Sequence, residues 1–455
     1  MYFRLALLGF ALIGLVATGC CIDPINGEQY FCLTDMSEEQ EIELGRAYAP
    51  DFAAQSGGAY PDAELQRYLT AIVLDLAANS HRPGLPWNFT ILNTSQINAF
   101  ALPGGEVFVT RGLLARLDTE AQFAQLMGHE IGHVTHRHAV RGQNRAALFQ
   151  LILGAAALAD QHLTDPDSPP LIAGATGMIG QLAMLHYSRE QELQSDSRGI
   201  DYAIASGYDP REARKTFELF LELKQASGHT QGLVEELLST HPPDEKRISE
   251  IDEYIAHEYP HTPVDTLVVS GRGWAGHKSR IRAAQQSYAK LDEALALVEK
   301  ARAENQLGHL DQAESLIREG GAALTGHAPF PAALGLIALE RDDTNEASLQ
   351  LDRACRLDPD YFQGRYYRGL VHLRRKAYTE AASDMTAANR LYPSNPLPCY
   401  HLGAIAENEG KKDAAIEWYG AVIGRSTAES RVHQLASERL AELQGETTAV
   451  AAETL

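Results

Sequence analysis

A fixed period in the second half of the chain restricts its fold more than any other feature of the sequence. Small residues and prolines return every 34 positions. They are Gly335, Gly369 and Gly403, then Ala313, Ala347, Ala381 and Ala415, then Pro359 and Pro393. Self-similarity at such a period is typical of repeat architectures, in which each unit buries its apolar face against its neighbours. Unrelated helices would not repeat small residues in this way, so we expect an all-α repeat domain over residues 283–445.

This pattern resembles the tetratricopeptide repeat family. The resemblance implies about four helix pairs between Ala283 and Gln444, stacked into a curved solenoid whose concave face docks partners or substrates. The first unit has Ala301 where the others have glycine, as befits the end of an array. We expect a linker over residues 263–282 with one short strand near Thr266–Ser270, and a disordered tail over residues 446–455.

The first half of the chain contains His129-Glu130-Ile131-Gly132-His133, an H-E-x-x-H motif within a helical apolar pattern. On a helix, both histidines leave the same face about 6 Å apart along the axis, so both can reach one metal ion. Glu130 falls in line with Leu126 and Val134, where a buried carboxylate needs a partner. The motif is typical of zinc proteases. The alternative is a charged surface helix that carries two histidines by chance.

A candidate third ligand lies further along the chain. Glu192 and Asp196 share one helix face, and two acids so placed repel each other unless a cation or a metal-bound imidazole lies between them. Glu192 would then bind the metal, and Asp196 would accept the second N–H of one of the two histidines. Glu190 is the competing ligand, but it has Arg189 beside it and no acid four residues later. We therefore favour Glu192.

Before the H-E-x-x-H helix, the sequence predicts helices and then strands. The spacing of Ser37 and Gln40 predicts a capped helix that ends before Pro50. Strands are expected at 87–91, 97–102 and 106–110, with the last two forming a hairpin. The next helix is expected to begin at Asp118 or Thr119.

An edge strand beside a metal can bind an extended peptide by strand addition. We assign this edge to Asn98–Leu102, with Asn98, Ala99 and Phe100 as the residues that line the substrate. A purely structural hairpin is the alternative.

The motifs together resemble the HtpX/BepA-like family of zinc metallopeptidases. They are HEIGH, the YSREQELQSD sequence at 187–196, the STHPP sequence at 239–243 with Arg247, and the NAFALPGG sequence at 98–105. The resemblance runs from about residue 35 to 260, and the layout with C-terminal repeats is similar to that of BepA-like members. Many members have alanine where this chain has Ser195.

The resemblance implies a gluzincin. It implies an α+β zincin-like domain over residues 35–262, with one zinc ion bound by His129, His133 and Glu192 and with Glu130 as the catalytic base. In BepA-like members a histidine at the position of His241 can approach the zinc as an extra ligand that holds the enzyme shut.

His241 and Arg247 also allow simpler interpretations. Pro242 and Pro243 favour an extended segment that can present His241 to the metal, and this is the interpretation that we favour. The alternative is a surface histidine before a helix that starts near Asp244. Arg247 can bind a substrate carbonyl or carboxylate, or it can pair with an acid. The sequence leaves the role of Arg247 open.

The N-terminus is typical of an exported protein. Residues 1–19 read as a signal peptide, and the small residues before Cys20 resemble a lipobox, which predicts lipidation of Cys20 and a tether over residues 20–34. Ala17 departs from the commoner leucine, so ordinary secretion is the alternative. Cys21 follows Cys20, so the best-known inner-membrane retention signal is absent and outer-membrane attachment is expected.

Four further cysteines permit two disulfides in an oxidising compartment, Cys21–Cys32 and Cys355–Cys399. Free buried thiols are the alternative for the second pair. Two apolar stretches, 146–159 and 171–185, are too short to span a bilayer and are expected to be buried helices or a flap, with membrane contact as the alternative. The net charge of −21 argues against nucleic-acid binding.

The sequence thus predicts a periplasmic, lipid-anchored zinc endopeptidase that acts on misfolded or unassembled envelope proteins, with repeats that bind substrates or outer-membrane assembly machinery. The first alternative is a chaperone or adaptor for outer-membrane protein assembly with a mostly closed metal site. The second is a metal-dependent hydrolase of something other than peptides.

Overall fold

The structure is a computed structural model that describes residues 20–31, 36–142, 187–226 and 233–445. The chain divides into two compact units, one containing residues up to 49 and 62–281, the other containing residues 50–61 and those from 282 onward. None of the helices in the described ranges combines the length and hydrophobicity that crossing a membrane requires. The signal peptide, the two apolar stretches, Cys32 and the C-terminal tail lie outside the described residues.

The first unit contains two small sheets. Strands β1 (Cys20–Ile22) and β2 (Gln29–Phe31) form an antiparallel hairpin. The second sheet has the order β3-β5-β4, in which β3 (Asn88–Leu92) runs parallel to β5 (Glu106–Thr110) and β4 (Ala99–Leu102) runs antiparallel to it. The predicted hairpin of β4 and β5 is present, and β4 lies at an edge of this sheet.

Eight helices in the described part of the chain lie wholly or partly in the first unit. They are α1 (Glu38–Gln55), α2 (Ala63–Ala78), α3 (Arg111–Leu114), α4 (Glu120–Thr135), α5 (Arg189–Ala205), α6 (Arg211–Ala226), α7 (Glu235–Thr240) and α8 (Glu245–Glu258). Of these, α2, α3 and α4 pack on the second sheet. The predicted start of α8 is confirmed, because Asp244 is its N-cap and accepts a hydrogen bond from the Arg247 backbone N–H.

Helix α1 begins as predicted but ends later. Gln40 N–H donates to the Ser37 hydroxyl, and Ser37 N–H donates to the Gln40 side chain. The prediction that the helix ends before Pro50 was wrong, since α1 continues to Gln55 with Pro50 inside it. Proline removes one helical hydrogen bond but keeps a helical φ, and Phe52 on the following turn is buried.

Helix α4, which carries the H-E-x-x-H motif, is the central helix of the first unit. Thr119 caps it in a capping box with Gln122, and all sixteen of its residues are buried. The alternative of a surface helix is therefore wrong. A Cβ added at Gly128 would lie 2.8 Å from the Gly199 carbonyl oxygen, and one at Gly132 would lie 3.0 Å from the Ser195 Cα. These glycines let α4 and α5 approach closely enough to bring Glu192 to the two histidines.

The expected linker is partly structured. The strand expected at Thr266–Ser270 is reduced to a single bridge between Val268 and Tyr208, and residues Val264–Thr266 form a 3-10 turn. Helix α9 (Trp274–Glu304) begins inside the segment predicted as linker. It does so because the Trp274 side chain is buried and donates from Nε1 to the Asp118 carbonyl oxygen at 2.9 Å.

The second unit consists of helices in antiparallel pairs. After α9 come α10 (Gly308–Gly321), α11 (Pro329–Glu340), α12 (Thr344–Leu357), α13 (Phe362–Arg374), α14 (Tyr378–Leu391), α15 (Pro396–Asn408), α16 (Lys412–Arg425) and α17 (Arg431–Gln444). The repeated glycines lie where paired helices touch. A Cβ at Gly335, Gly369 or Gly403 would come within 2.8 Å of Leu351, Met385 or Tyr419. The all-α repeat fold is confirmed.

The structure distinguishes a disulfide from free thiols at Cys355 and Cys399. Cys355 and Cys399 are both free and buried, so they do not form the disulfide considered above. Burial raises the pKa of the Cys355 thiol to about 11, and the Cys399 thiol donates to Asn389. Cys21 is disulfide-bonded, and its partner lies outside the residues whose side chains are described.

Candidate metal centre and active site

Four buried side chains converge on one point in the first unit. His129 and His133 come from α4, Glu192 from α5, and His241 follows the end of α7. One nitrogen or oxygen atom from each lies within 4.8 Å of the others. Glu190, the competing ligand, is exposed on the surface of α5 and does not belong to this group.

The spacing of the four donors fits a tetrahedral metal site. In a zinc site with bonds of about 2.0–2.1 Å, neighbouring ligand atoms lie about 3.4 Å apart. Glu192 Oε1 lies 3.4 Å from His133 Nε2, and Glu192 Oε2 lies 3.7 Å from His129 Nε2. His241 Nδ1 lies 3.4 Å from His129 Nε2. The two Nε2 atoms of His129 and His133 point at each other across 2.9 Å. These residues can hold a metal ion.

The ionisation of these groups also suits a cation. Burial lowers the pKa of His133 to about 3, so its ring is neutral and offers a lone pair. Burial alone would raise the pKa of Glu192, but the nearby charges of His241 and Arg247 hold it well below its usual value. The group thus presents an ionised carboxylate beside a neutral imidazole, which is the donor chemistry that zinc prefers.

Glu130 lies beside the group, with its carboxylate 3.7 Å from His241 Nε2. The side chain is 2% exposed, and within the described residues its Oε1 atom has no hydrogen-bond partner. Burial raises the pKa of Glu130. A cavity of about 30 Å³ is lined by Glu130, His129, His241 and apolar residues such as Phe217. It offers room for an ordered water molecule next to a carboxylate that is able to accept its proton.

Arg247 pairs with two buried acids, Asp196 and Glu192. Its guanidinium donates to both oxygens of Asp196, at 2.9 and 2.8 Å, and its Nη1 lies 2.8 Å from Glu192 Oε2. It also stacks over the Phe217 ring. Asp196 in turn lies 2.8 Å from His129 Nδ1. A charged chain, Arg247 to Asp196 to His129, therefore holds the first histidine of the motif from behind.

The edge strand lies next to the metal helix. Ala101 and Leu102 of β4 line a narrow cleft together with His133 and Tyr187. The Asn98 backbone is not available to a substrate, because it donates to and accepts from Thr110. By the alternation of an antiparallel ladder, Phe100 also faces β5. Ala99 and Ala101 turn their backbone groups outward instead.

Part of this outward edge is already paired with the chain itself. The Ile97 N–H donates to the Leu233 carbonyl oxygen at 2.7 Å. Leu233 precedes α7, the helix that leads to His241. The open part of the edge is thus short and centred on Ala99 and Ala101.

Two residues beside His133 were not predicted. The Tyr187 ring stacks on the His133 ring, with centroids 3.9 Å apart, and the buried His138 lies on the far side of His133. Tyr187 stands within the third-ligand sequence and His138 follows the motif by five residues. Neither spacing has a general meaning, so only the packed structure assigns them to the site.

Comparisons with known proteins agree with this geometry. Residues 63–255 match the family model described as peptidase family M48, and residues 398–428 match the tetratricopeptide repeat model. The beta-barrel assembly-enhancing protease of Escherichia coli (strain K12) is 31% identical over 228 residues, which cover 47% of this chain and 44% of that protein.

The mitochondrial metalloendopeptidase OMA1 of Arabidopsis thaliana is 33% identical over 174 residues, covering 38% of this chain and 32% of that protein. The OMA1 of Schizosaccharomyces pombe (strain 972 / ATCC 24843) is 28% identical over 198 residues, covering 41% and 52% respectively. The chain thus spans about half, or less, of the length of these relatives. Among solved structures, the crystal structure of MamA covers 32% of this chain and 84% of its own, at 21% identity and a TM-score of 0.28, which is too low to support an inference.

The predicted resemblance is confirmed. It covers part of the chain, since residues 63–255 match peptidase family M48 and residues 398–428 match the tetratricopeptide repeat.

Proposed function

We propose that this protein is a zinc-dependent endopeptidase. The observation that carries the proposal is the convergence of His129, His133 and Glu192 on one point, with the buried carboxylate of Glu130 beside them. A zinc ion there would activate a water molecule by lowering its pKa to about 7 and would polarise the scissile carbonyl.

The remaining steps belong to side chains of this protein. Glu130 accepts the proton of the attacking water and later delivers it to the leaving amine, a role commonly worth about 10² to 10⁴ in rate. Ala99 and Ala101 of β4 offer the backbone groups that would align an extended peptide. Arg247 acts through Asp196 and Glu192 rather than by direct contact with the substrate, since its donors already serve these acids.

The test is cleavage of an unfolded protein by the wild type and by Glu130→Gln, each with its zinc content measured. Glutamine keeps the shape of the side chain and removes the base. We expect equal zinc content and a loss of activity of about 10² to 10⁴. Equal cleavage by both proteins would contradict the proposal.

A second function is favoured by His241. Its Nδ1 lies within the donor group, and its Nε2 lies 3.7 Å from Glu130 Oε1. Because His241 occupies a donor position beside Glu130, a peptide carbonyl would take that position only after His241 moves. We propose that the resting site is mostly closed and that the protein also serves as a chaperone or adaptor. A rise in cleavage by His241→Ala supports a latent protease, whereas rescue of an envelope defect by Glu130→Gln supports the adaptor role.

The cellular setting is also a proposal. An M48 domain with repeats, similar to a relative named for enhancing β-barrel assembly, suits a periplasmic protein that acts on misfolded or unassembled envelope proteins. In this proposal Cys20 carries a lipid anchor in the outer membrane, and the repeats bind substrates or the assembly machinery. Retention of a Cys20→Ala variant in the membrane fraction would contradict the anchor.

A further inference from the structure

A second buried histidine holds the His133 ring from the side opposite the donor group. His138 Nδ1 lies 3.0 Å from His133 Nδ1. The other ring nitrogen, His138 Nε2, lies 3.0 Å from Gln194 Oε1. His138 is fully buried, and it is not one of the four donors. Since two nitrogen atoms at this distance share one proton, either His133 or His138 is the donor, and the surroundings decide which.

The proton positions follow from Gln194. Its Nε2 donates to the Glu28 carboxylate at 3.3 Å, so its Oε1 is the end that faces His138. A carbonyl oxygen only accepts, and therefore His138 carries its proton on Nε2. His133 directs its Nε2 at the donor group and needs a lone pair there to bind a metal. The proton between the two Nδ1 atoms therefore belongs to His133, and His138 Nδ1 accepts it.

The lone pair on His138 Nδ1 fixes the tautomer of His133. His133 must donate from Nδ1, which leaves its Nε2 with a lone pair directed at His129 and Glu192. The Ser195 hydroxyl lies 3.4 Å from the same His138 nitrogen and is able to donate to it as well. If His138 instead carried its proton on Nδ1, its Nε2 lone pair would face the lone pairs of Gln194 Oε1. Turning the Gln194 amide to avoid this would direct its oxygen at the Glu28 carboxylate.

We propose that His138 and Gln194 are positioning residues that hold His133 in its metal-binding tautomer, with Glu28 on the β1–β2 hairpin orienting Gln194. This inference rests on the proposed function, because it takes His133 as a zinc ligand. It differs from the support of His129, which comes from a carboxylate and an arginine. Outer partners of this kind commonly contribute 10- to 100-fold to metal affinity, so a loss of about that size is expected when the acceptor is removed.

The experiment compares His138→Asn with His138→Phe in the whole chain. Asparagine places its side-chain oxygen near the position of the lost Nδ1 and accepts from His133, whereas phenylalanine keeps the ring and removes the acceptor. Zinc affinity is measured by competition with a chelator, and the melting temperature of the zinc-free protein monitors the fold. We expect about 10- to 100-fold weaker binding for phenylalanine and near wild-type binding for asparagine. Equal affinity in all three proteins, or an equal loss in both variants, would overturn the proposal.

Gln194 provides a second test that does not disturb the buried ring, because its side chain is only half-buried. The matched control is Glu28→Gln, which keeps an acceptor towards the Gln194 side-chain N–H and should bind zinc like the wild type. Gln194→Leu removes the acceptor and should bind more weakly, while ¹⁵N spectra of the histidines should show His133 losing its Nδ1-protonated form. Unchanged affinity and unchanged spectra in Gln194→Leu would overturn the proposal.

The outcomes for this inference and for the proposed function are separable. A wild type that binds zinc through this group but cleaves no protein removes the endopeptidase function, and the affinity series still decides the role of His138. A wild type that binds no zinc overturns both.

Discussion

In the first unit, buried ionisable side chains converge from several helices on one site, whereas in the second unit buried positions are occupied mainly by small apolar residues at a fixed period. Glu130, Glu192, Asp196 and Arg247 are each at most 5% exposed. Among the described residues of the second unit, buried charge is confined to Asp51 and Asp384. Burying charge is costly unless it is paired. The first unit therefore contains buried charges that suit a reactive site but lower its stability. The second unit is held together mainly by apolar packing.

The largest effect should come from removing the arginine that neutralises the site. Arg247→Met leaves Asp196 and Glu192 buried without their cation, which should destabilise the first unit by about 3–5 kcal/mol. Arg368→Met is the matched control in the second unit. There Asp384 loses Arg368 but keeps Arg365, so the loss should be smaller, about 1–3 kcal/mol.

Hydrogen exchange measured on peptides reads the two units separately. An equal loss of unfolding free energy in Arg247→Met and Arg368→Met would contradict the view that only the first unit depends strongly on buried charge.

The free energy of unfolding should depend on pH with opposite signs for one carboxyl in each unit. Burial would raise the pKa of Asp23, but hydrogen bonds from His136 and the Ile25 N–H, together with Arg141, lower it from 3.8 to about 2. Because the folded pKa is depressed, Asp23 stabilises the fold above pH 3.8, and this contribution is lost as pH falls through about 2. Asp23→Asn should therefore cost about 2 kcal/mol at neutral pH and nothing near pH 2.

Asp358 in the second unit provides the opposite case. Burial raises its pKa, so its charge destabilises the fold as pH rises through the folded pKa, and Asp358→Asn should become relatively more stable over that range. Chemical unfolding at a series of pH values measures both variants. The same slope of unfolding free energy against pH for Asp23→Asn and Asp358→Asn would contradict the opposite pKa shifts assigned to the two carboxyls.

The smallest effects should come from the glycines of the repeats. A Cβ at Gly403 meets the buried Tyr419 ring at 2.8 Å, whereas one at Gly369 meets the flexible end of Met385 at the same distance. Since alanine favours a helix by about 1 kcal/mol over glycine, Gly369→Ala should be nearly neutral and Gly403→Ala should destabilise by about 1–2 kcal/mol.

Gly128→Ala extends this comparison to the first unit, where the added carbon meets the Gly199 backbone oxygen and no side chain can yield. It should lower both stability and zinc affinity. Thermal melts with and without a chelator measure these effects. A neutral Gly128→Ala would show that the close approach of α4 and α5 is not needed.

The sequence predicts those features that depend on local spacing. The His129–His133 pair, the shared face of Glu192 and Asp196, the Ser37–Gln40 capping box and the 34-residue period all follow from helical geometry along one segment. Features that depend on the meeting of distant segments are not predictable in this way. The partners of Arg247, the place of His138 behind His133 and the continuation of α1 through Pro50 are set by packing.

The edge strand β4 has one feature that the sequence predicts and one that it does not. The alternation of residues 97–102 and the turn that follows predict the β4–β5 hairpin, but they do not fix which backbone groups face outward. That depends on the register with β5, which pairs Asn98 with Thr110 and directs Ala99 and Ala101 away from the sheet.

Zinc K-edge X-ray absorption on the purified chain tests the central claim most directly. The donor group of His129, His133, Glu192 and His241 predicts one zinc ion per chain, bound by about four nitrogen or oxygen atoms at about 2.0–2.2 Å, with the scattering pattern of imidazole rings. A shell of sulfur atoms at about 2.3 Å, a shell of oxygen atoms without imidazole, or a chain that holds no zinc would contradict it.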